Sequence, residues 1–342
     1  MFRGFWDTLQ SPIIGLSPMD GVTDAAYRYT VAKTSHPSLI MTEFMNVEGL
    51  SRGAVSMLHA FKYDEIERPI VAQIYGSEVD SFYKVALMVC ELGFDGIDIN
   101  MGCPANKVAR RGSGAGLIQT PDLATTIIKT VQQAANDWAK GKTPEEADIR
   151  PKIIRAIREM RPTPSARRLL PISVKTRIGF NTVTTESWIS HLLKAKPAAI
   201  TLHGRTFKQL YSGEADWEEI AKAAVLCKKT DTLIVGNGDV KNIQDAQDKI
   251  EKYSVNGVLV GRATFGNPWF FDGYSPTPQE CAKKAIEHCE TFERIYPERL
   301  FFNMRKHLAW YLKGFDGARE LRVKLMQSNN SDEVREILAS FL

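Results

Sequence analysis

The stretch Ile172-Ser173-Val174-Lys175-Thr176-Arg177, an amphipathic run at 187–194, and then Ala199-Ile200-Thr201-Leu202-His203-Gly204 together decide the fold. Two short segments with β-branched residues flank one helical pattern, and most of the strand candidates along the chain are near-continuous hydrophobic runs rather than alternating ones. Strands buried on both faces read this way, and a crossover helix between them makes the pair parallel. The same unit recurs outward in both directions. Strand-like runs stand at 13–17, 39–44, 69–75, 96–101, 172–177, 199–204, 233–238 and 257–261. Helical patterns lie between them at 80–92, 121–135, 187–194, 217–227 and 243–253. Thr120-Pro121 places an N-cap before an N1 proline, and Gly93 follows the last turn of its helix. Eight strands alternating with helices predict a parallel (β/α)8 TIM barrel. A doubly wound sheet is the runner-up, because local patterning does not separate an open sheet from a closed one.

All eight strands fall within residues 1–272. The interval between the fourth and fifth is long, and residues 138–170, rich in Lys, Arg, Glu and Pro, read as a surface insertion of low closure cost. Asp272-Gly273-Tyr274-Ser275-Pro276-Thr277-Pro278 reads as a linker, and 279–342 as a small C-terminal all-helical domain. A chain of 342 residues suits a barrel of roughly 250 residues with such an appendage.

Composition narrows the classes. With 44% apolar and 25% charged residues, disordered, collagen-like and coiled-coil readings fall away. No run approaches the ~18 apolar residues of a membrane span, and residues 1–12 lack the apolar block of a signal peptide. Forty-four Lys+Arg against 40 Asp+Glu give a formal +4, which permits a nucleic-acid partner without demanding one. The cysteines Cys90, Cys103, Cys227, Cys281 and Cys289 form no C-x-x-C. Neither a disulfide framework nor a metal site is expected, and a reducing cytoplasm is the expected home.

In such barrels the C-terminal strand ends build the active site. Here they are polar and glycine-rich: Ser17-Pro18-Met19, Glu43, Gln73, Asn100-Met101-Gly102-Cys103-Pro104, Lys175-Thr176-Arg177, His203-Gly204-Arg205-Thr206, Asn237-Gly238-Asp239 and Gly261-Arg262. The last two end strands seven and eight, where these barrels often hold a phosphate, and Arg262 adds charge. Lys175 points inward from a buried strand, which calls for an anion or an electron-rich ring. A flavin suits Lys175 together with His203 and Gln73; the alternatives are an ion pair with Glu43 and a satisfied core histidine. Cys103 sits between Gly102 and Pro104, in a loop rather than a core. With no His-Asp pair beside it, its thiol reads as a general acid or as an inert loop cysteine.

These residues carry a resemblance. Asp98-Ile99-Asn100-Met101-Gly102-Cys103-Pro104 with Gly112-Ser113-Gly114-Ala115 resembles the signature of the tRNA-dihydrouridine synthase family. Leu16-Ser17-Pro18-Met19-Asp20-Gly21, Val71-Ala72-Gln73-Ile74-Tyr75-Gly76, Val174-Lys175-Thr176-Arg177 and Tyr211-Ser212-Gly213-Glu214-Ala215-Asp216-Trp217 extend it along the barrel, as does Gly261-Arg262-Ala263-Thr264-Phe265-Gly266. Arg305-Lys306-His307 with Trp310-Tyr311 is similar to the bacterial B-type branch, and the 138–170 insertion departs from the compact pattern.

The resemblance implies FMN-dependent reduction of the C5–C6 double bond of particular tRNA uridines, with NADPH as reductant and NADH as the alternative. It implies that Ser17, Pro18, Met19, Gln73, Lys175 and His203 line the flavin. Asn237, Gly238, Asp239, Gly261 and Arg262 would hold its phosphate. Cys103 would be the proton donor, Asn100 and Arg177 would orient the uracil, and Arg305, Lys306 and His307 would touch tRNA, in a protein expected to be a monomer. Two rivals remain at this point: an FMN barrel acting on a small molecule, and an RNA-binding protein whose catalysis is secondary. Against the first stand the basic residues of 299–324, interleaved with Trp310, Tyr311 and Phe315.

Overall fold

A computed structural model describes residues 2–163 and 166–342. Nine parallel strands form its sheet: β1 Ile13–Leu16, β2 Ile40–Met41, β3 Met45–Asn46, β4 Ile70–Tyr75, β5 Gly96–Met101, β6 Ile172–Arg177, β7 Ala199–His203, β8 Leu233–Asn237 and β9 Gly257–Val260. Apart from β2 and β3, which both pair with β4 and not with each other, each strand pairs with its neighbour in sequence; β9 pairs with β1 and β2 with β1, so the sheet closes on itself. The barrel is therefore the TIM barrel that the pattern predicts, and the open doubly wound sheet is excluded.

The second expected strand is broken in two. Ile40 registers with Ile70, but Met45 registers with Ile74, so one extra residue is accommodated between β2 and β3. This is a bulge, which frees a side chain from the ladder and re-aims its neighbour. The Thr42 hydroxyl accepts the Gln73 amide N–H at 3.0 Å, and the Glu43 carboxylate turns to the Gly21 N–H at 2.6 Å.

Side chains along a strand alternate between the barrel interior and the helix layer. The lower interior is apolar, with Ile13, Leu39, Met41, Val71, Ala199, Val235 and Leu259 packed in one cluster with Trp6. Two or four residues further along the same strands, the interior turns polar. A larger apolar shell lies between strands and helices.

Residues 138–163 and 166–170 do not lie loosely on the surface. Trp138 is buried and donates to Glu91 at 2.8 Å, and the helix Pro151–Met160 sinks Ile153, Ile154 and Ile157 into the barrel's apolar shell. The expectation of a surface insertion holds only for this helix's charged outer face, because an i, i+1, i+4 apolar stripe needs a partner.

The C-terminal region is helical, with helices Pro278–Ile295, Arg305–Tyr311, Ala318–Leu325 and Ser331–Leu338 around their own apolar cluster. The first of these opens with a Thr277/Glu280 capping box and Pro278 in its first turn. The cluster includes Ala25 and Ala26 of the helix Ala25–Thr34, and the Tyr296 hydroxyl accepts the Ala25 N–H at 3.0 Å. Among the described residues no helix is long and apolar enough to cross a membrane.

Candidate functional site

Strand register assembles the mouth. Gln73 stands opposite Asp98, Asn100 opposite Lys175, Arg177 opposite His203, and His203 opposite Asn237. Registered partners share a face, so these side chains form one inward-facing polar layer above the apolar plug.

Cys103 follows β5 on a loop held from both sides. The Asn100 Oδ1 accepts the N–H groups of Gly102 at 3.0 Å and Cys103 at 2.8 Å, while Arg177 Nε donates to the Gly102 carbonyl at 2.7 Å. The thiol is 7% exposed. Burial raises its pKa above the usual thiol value, helped by Asp20 and opposed by the Ala105 amide, Arg177 and Lys175. A thiol so placed keeps its proton at neutral pH, which suits an acid and not a thiolate nucleophile.

The Lys175 ammonium donates to the Asn237 Oδ1 at 3.0 Å, while Glu43 is engaged with Gly21, so the alternative ion pair is not formed. Desolvation, with the Arg177 charge second, lowers Lys175 to about 8, and Arg177 is lowered to about 10 by the same burial. His203 is kept neutral by burial and by the cations Arg177, Lys175, Arg205 and Arg262. Its Nδ1 is buried without a hydrogen-bond partner among the described residues. Desolvated cations beside an unmatched polar nitrogen fit an electron-rich, hydrogen-bonding ring.

At the ends of β8 and β9 the backbone turns sharply. Gly238 has φ +125°, open only to glycine, and Asp239 follows at φ +50°. The Asp239 carboxylate is fully engaged: Arg205 binds it at 2.6 and 3.1 Å, Arg262 at 2.7 Å, and the Ala215 N–H at 2.8 Å. Asp239 therefore aligns two arginines rather than meeting a phosphate, which its own charge would repel. Arg262 is half-exposed and opens a single 3-10 turn, Arg262–Thr264. Arg205 was visible in sequence only as part of a motif; its partner is set by the loop at Asp239. Ser17 is buried and donates to the Val260 carbonyl at 2.8 Å, and the Met19 thioether lies beside Gly261.

The C-terminal residues behave differently. Arg305 donates to the Ser328 carbonyl and the Asn329 side chain at 3.2–3.3 Å, and Lys306 donates to the Gly21 carbonyl at the mouth's rim. His307 is 2% exposed and packs against Tyr27, His288 and Trp310, so it is not placed to touch RNA. Trp310 stacks on Phe265 with centroids 4.0 Å apart, and Tyr311 is buried. These aromatics pack the seam with the barrel instead of offering faces to bases.

The family model described as "Dihydrouridine synthase (Dus)" matches residues 15–150 and 144–342. The chain is 32% identical over 353 aligned residues to the "Probable tRNA-dihydrouridine synthase 2" of Bacillus subtilis (strain 168), covering 100% of this chain and 97% of that one. It is 31% identical to the "Probable tRNA-dihydrouridine synthase" of Staphylococcus epidermidis (strain RP62A), with the same coverage. Among solved structures, that of DHODH from Eimeria tenella in complex with ferulenol matches at a TM-score of 0.48 and 12% identity, covering 82% of each chain.

Proposed function

Because the chain belongs to the dihydrouridine synthase family, we propose that it is an FMN-dependent oxidoreductase that reduces the C5–C6 double bond of specific uridines in tRNA with NADPH. The observation that carries this reading is a buried, protonated Cys103 sharing one mouth with a desolvated Lys175 and a neutral His203. A bound FMN supplies the hydride, and NADPH, or alternatively NADH, restores it.

The chain's own residues do the rest. Ser17, Pro18, Met19, Gln73, Lys175 and His203 would hold the flavin ring, and the ammonium of Lys175 favours negative charge beside it. Asn237, Gly238, Gly261 and Arg262 would hold the phosphate, with Asp239 keeping Arg262 and Arg205 aligned. A uridine must leave its stack to enter the mouth. There Cys103 Sγ gives its proton to C5 of the uracil, and no prior titration is needed because burial already keeps the thiol protonated. Arg177, with Asn100 beside it, orients the uracil carbonyls as negative charge develops.

We assign residues 1–272 to an FMN-binding catalytic domain and 279–342 to a helical tRNA-binding domain, acting as a monomer in the cytoplasm. The test is purified protein, NADPH and tRNA lacking the modification. The protein should carry a flavin absorbing near ~450 nm and should form dihydrouridine. A protein that takes up no FMN, or that leaves every uridine unreduced, overturns the proposal.

A further inference from the structure

Among the buried acids that the reaction described above leaves unused, Asp98 is the most deeply buried. In Ile97-Asp98-Ile99-Asn100, two polar side chains share the inward face of β5, and Asp98 is fully buried beneath the mouth. Its partners are neutral: the Ser173 hydroxyl donates to Oδ1 at 2.7 Å, and Gln73 Nε2 donates to Oδ2 at 2.7 Å. Burying a carboxylate is costly, and an apolar residue would serve packing alone at less cost.

A chain of hydrogen bonds starts at this carboxylate. Gln73 Nε2 donates to Asp98, Gln73 Oε1 accepts from Asn100 Nδ2 at 2.9 Å, and Asn100 Oδ1 accepts the N–H groups of Gly102 and Cys103. A carboxamide has nearly the same shape when its oxygen and NH2 exchange places, so packing alone does not choose its orientation. The ends of this chain do choose. An ionised carboxylate only accepts, and backbone N–H groups only donate. With an acceptor at one end and donors at the other, both carboxamides have a single consistent orientation.

We propose that Asp98 is a positioning residue that sets the direction of this relay and so holds the Cys103 loop, through Gln73 and Asn100. The relay passes through the side chain assigned above to the flavin and ends at the proton donor. It rests on the proposed function only for its purpose; the hydrogen-bond logic stands on the geometry.

The inference has a reciprocal test. D98N alone can keep its Oδ1 toward Gln73 Nε2, because the Ser173 hydroxyl can turn from donor to acceptor and take the new NH2. Q73E alone sets two carboxylates against each other. D98N combined with Q73E restores the pattern, because the new amide donates to the new carboxylate, which also accepts from Asn100. The readout is the rate of iodoacetamide alkylation at Cys103 in the full-length, FMN-loaded protein, followed by peptide mass spectrometry. It needs no turnover, so it separates failure of the relay from failure of the proposed activity. Q73E should raise the rate by about fivefold or more, as loss of one buried hydrogen bond would, or should fail to fold, whereas D98N should stay within about twofold of wild type. The double variant should fold and return the rate to within about twofold of wild type. A Q73E variant that folds with an unchanged rate, or a double variant that does not restore it, overturns the assignment.

Discussion

The barrel mouth and the C-terminal helices both bury polar side chains, but the two regions use them in opposite ways. In the mouth, Lys175, Arg177 and His203 hang from strand ends whose direction the ladder dictates, and among the described residues no carboxylate forms an ion pair with Lys175 or Arg177. In the helices, Arg305 and Lys306 are spent on carbonyl groups and His307 is sealed in a packed aromatic cluster. The first arrangement leaves cations desolvated at the strand ends; the second turns His307 into cohesion while Arg305 and Lys306 stay partly exposed. Reading function from residue type alone works where the backbone enforces orientation and fails where a helix can rotate it away.

Several measurements would break or sharpen this contrast. The largest effect belongs to Cys103→Ala. FMN binding and reduction by NADPH should persist while dihydrouridine formation falls by ~10²–10⁴, read by stopped-flow on the two half-reactions separately. A wild-type rate of uridine reduction would remove Cys103 from the chemistry.

Next comes Lys175→Met. Loss of a charged contact should weaken FMN affinity by roughly 10–100-fold. The melting temperature of the flavin-free protein should not fall, because a desolvated cation leaves with the side chain. A protein that melts earlier yet binds FMN normally would make Lys175 a structural residue.

Acid should divide the two regions. Burial lowers His288 to about 3 and drives His307 well below its ordinary value. Both stay neutral when folded and charge when unfolded, so the stability they contribute is present above about pH 6.5 and is lost as pH falls. From pH 7 to 5, a histidine shifted this far costs about 2 kcal/mol. Glu43, raised to about 7 by burial, and Asp98, raised to about 6, act with the opposite sign. They bind protons in the folded state first and offset His203, which burial also holds neutral, so acid in the same window costs the barrel less than the helices. Hydrogen exchange, corrected for intrinsic rates, should show the helices Pro278–Ile295 and Arg305–Tyr311 losing protection at pH 5 before the strands do. Equal loss in both would mean that the two regions open as one unit.

The smallest effects concern RNA. Arg305→Ala and Lys306→Ala should each lower the log–log salt slope of tRNA binding by up to ~0.9. His307→Ala should leave that slope unchanged and cost stability instead. A slope that responds to His307 and not to Lys306 would reverse the placement argued here.

The legibility of the molecule follows the same divide. Strands such as 257–260 are visible because burial on both faces leaves a nearly continuous apolar signature, and the mouth is visible because strand ends in a barrel converge. The break between β2 and β3 is hidden, since Thr42 and Glu43 depart from the ladder only through contacts with Gln73 and Gly21 from other segments. Asp98 escapes a reading confined to strand ends, although Ile-Asp-Ile-Asn carries a period-2 polar face that marks it. Asp239 looks like a phosphate ligand until its two arginines are seen to claim it. The insertion at 138–170 looks superficial because its charges outnumber Ile153, Ile154 and Ile157, three residues that anchor it.

The seam between barrel and helices has a consequence for modularity. Gly266 lies so close to the Trp310 carbonyl that an added Cβ would come within 2.2 Å of it, while Trp310 covers Phe265 and Tyr296 occupies the Ala25 amide. Cutting the chain after the linker would uncover an aromatic face and open a helix end on the barrel itself. The helical region is therefore poor material for transplantation: a chimera with a relative would have to exchange both sides of this seam together. Lineages that altered the helical half would have carried the matching residues of the first barrel helix and of the loop after the last strand along with it.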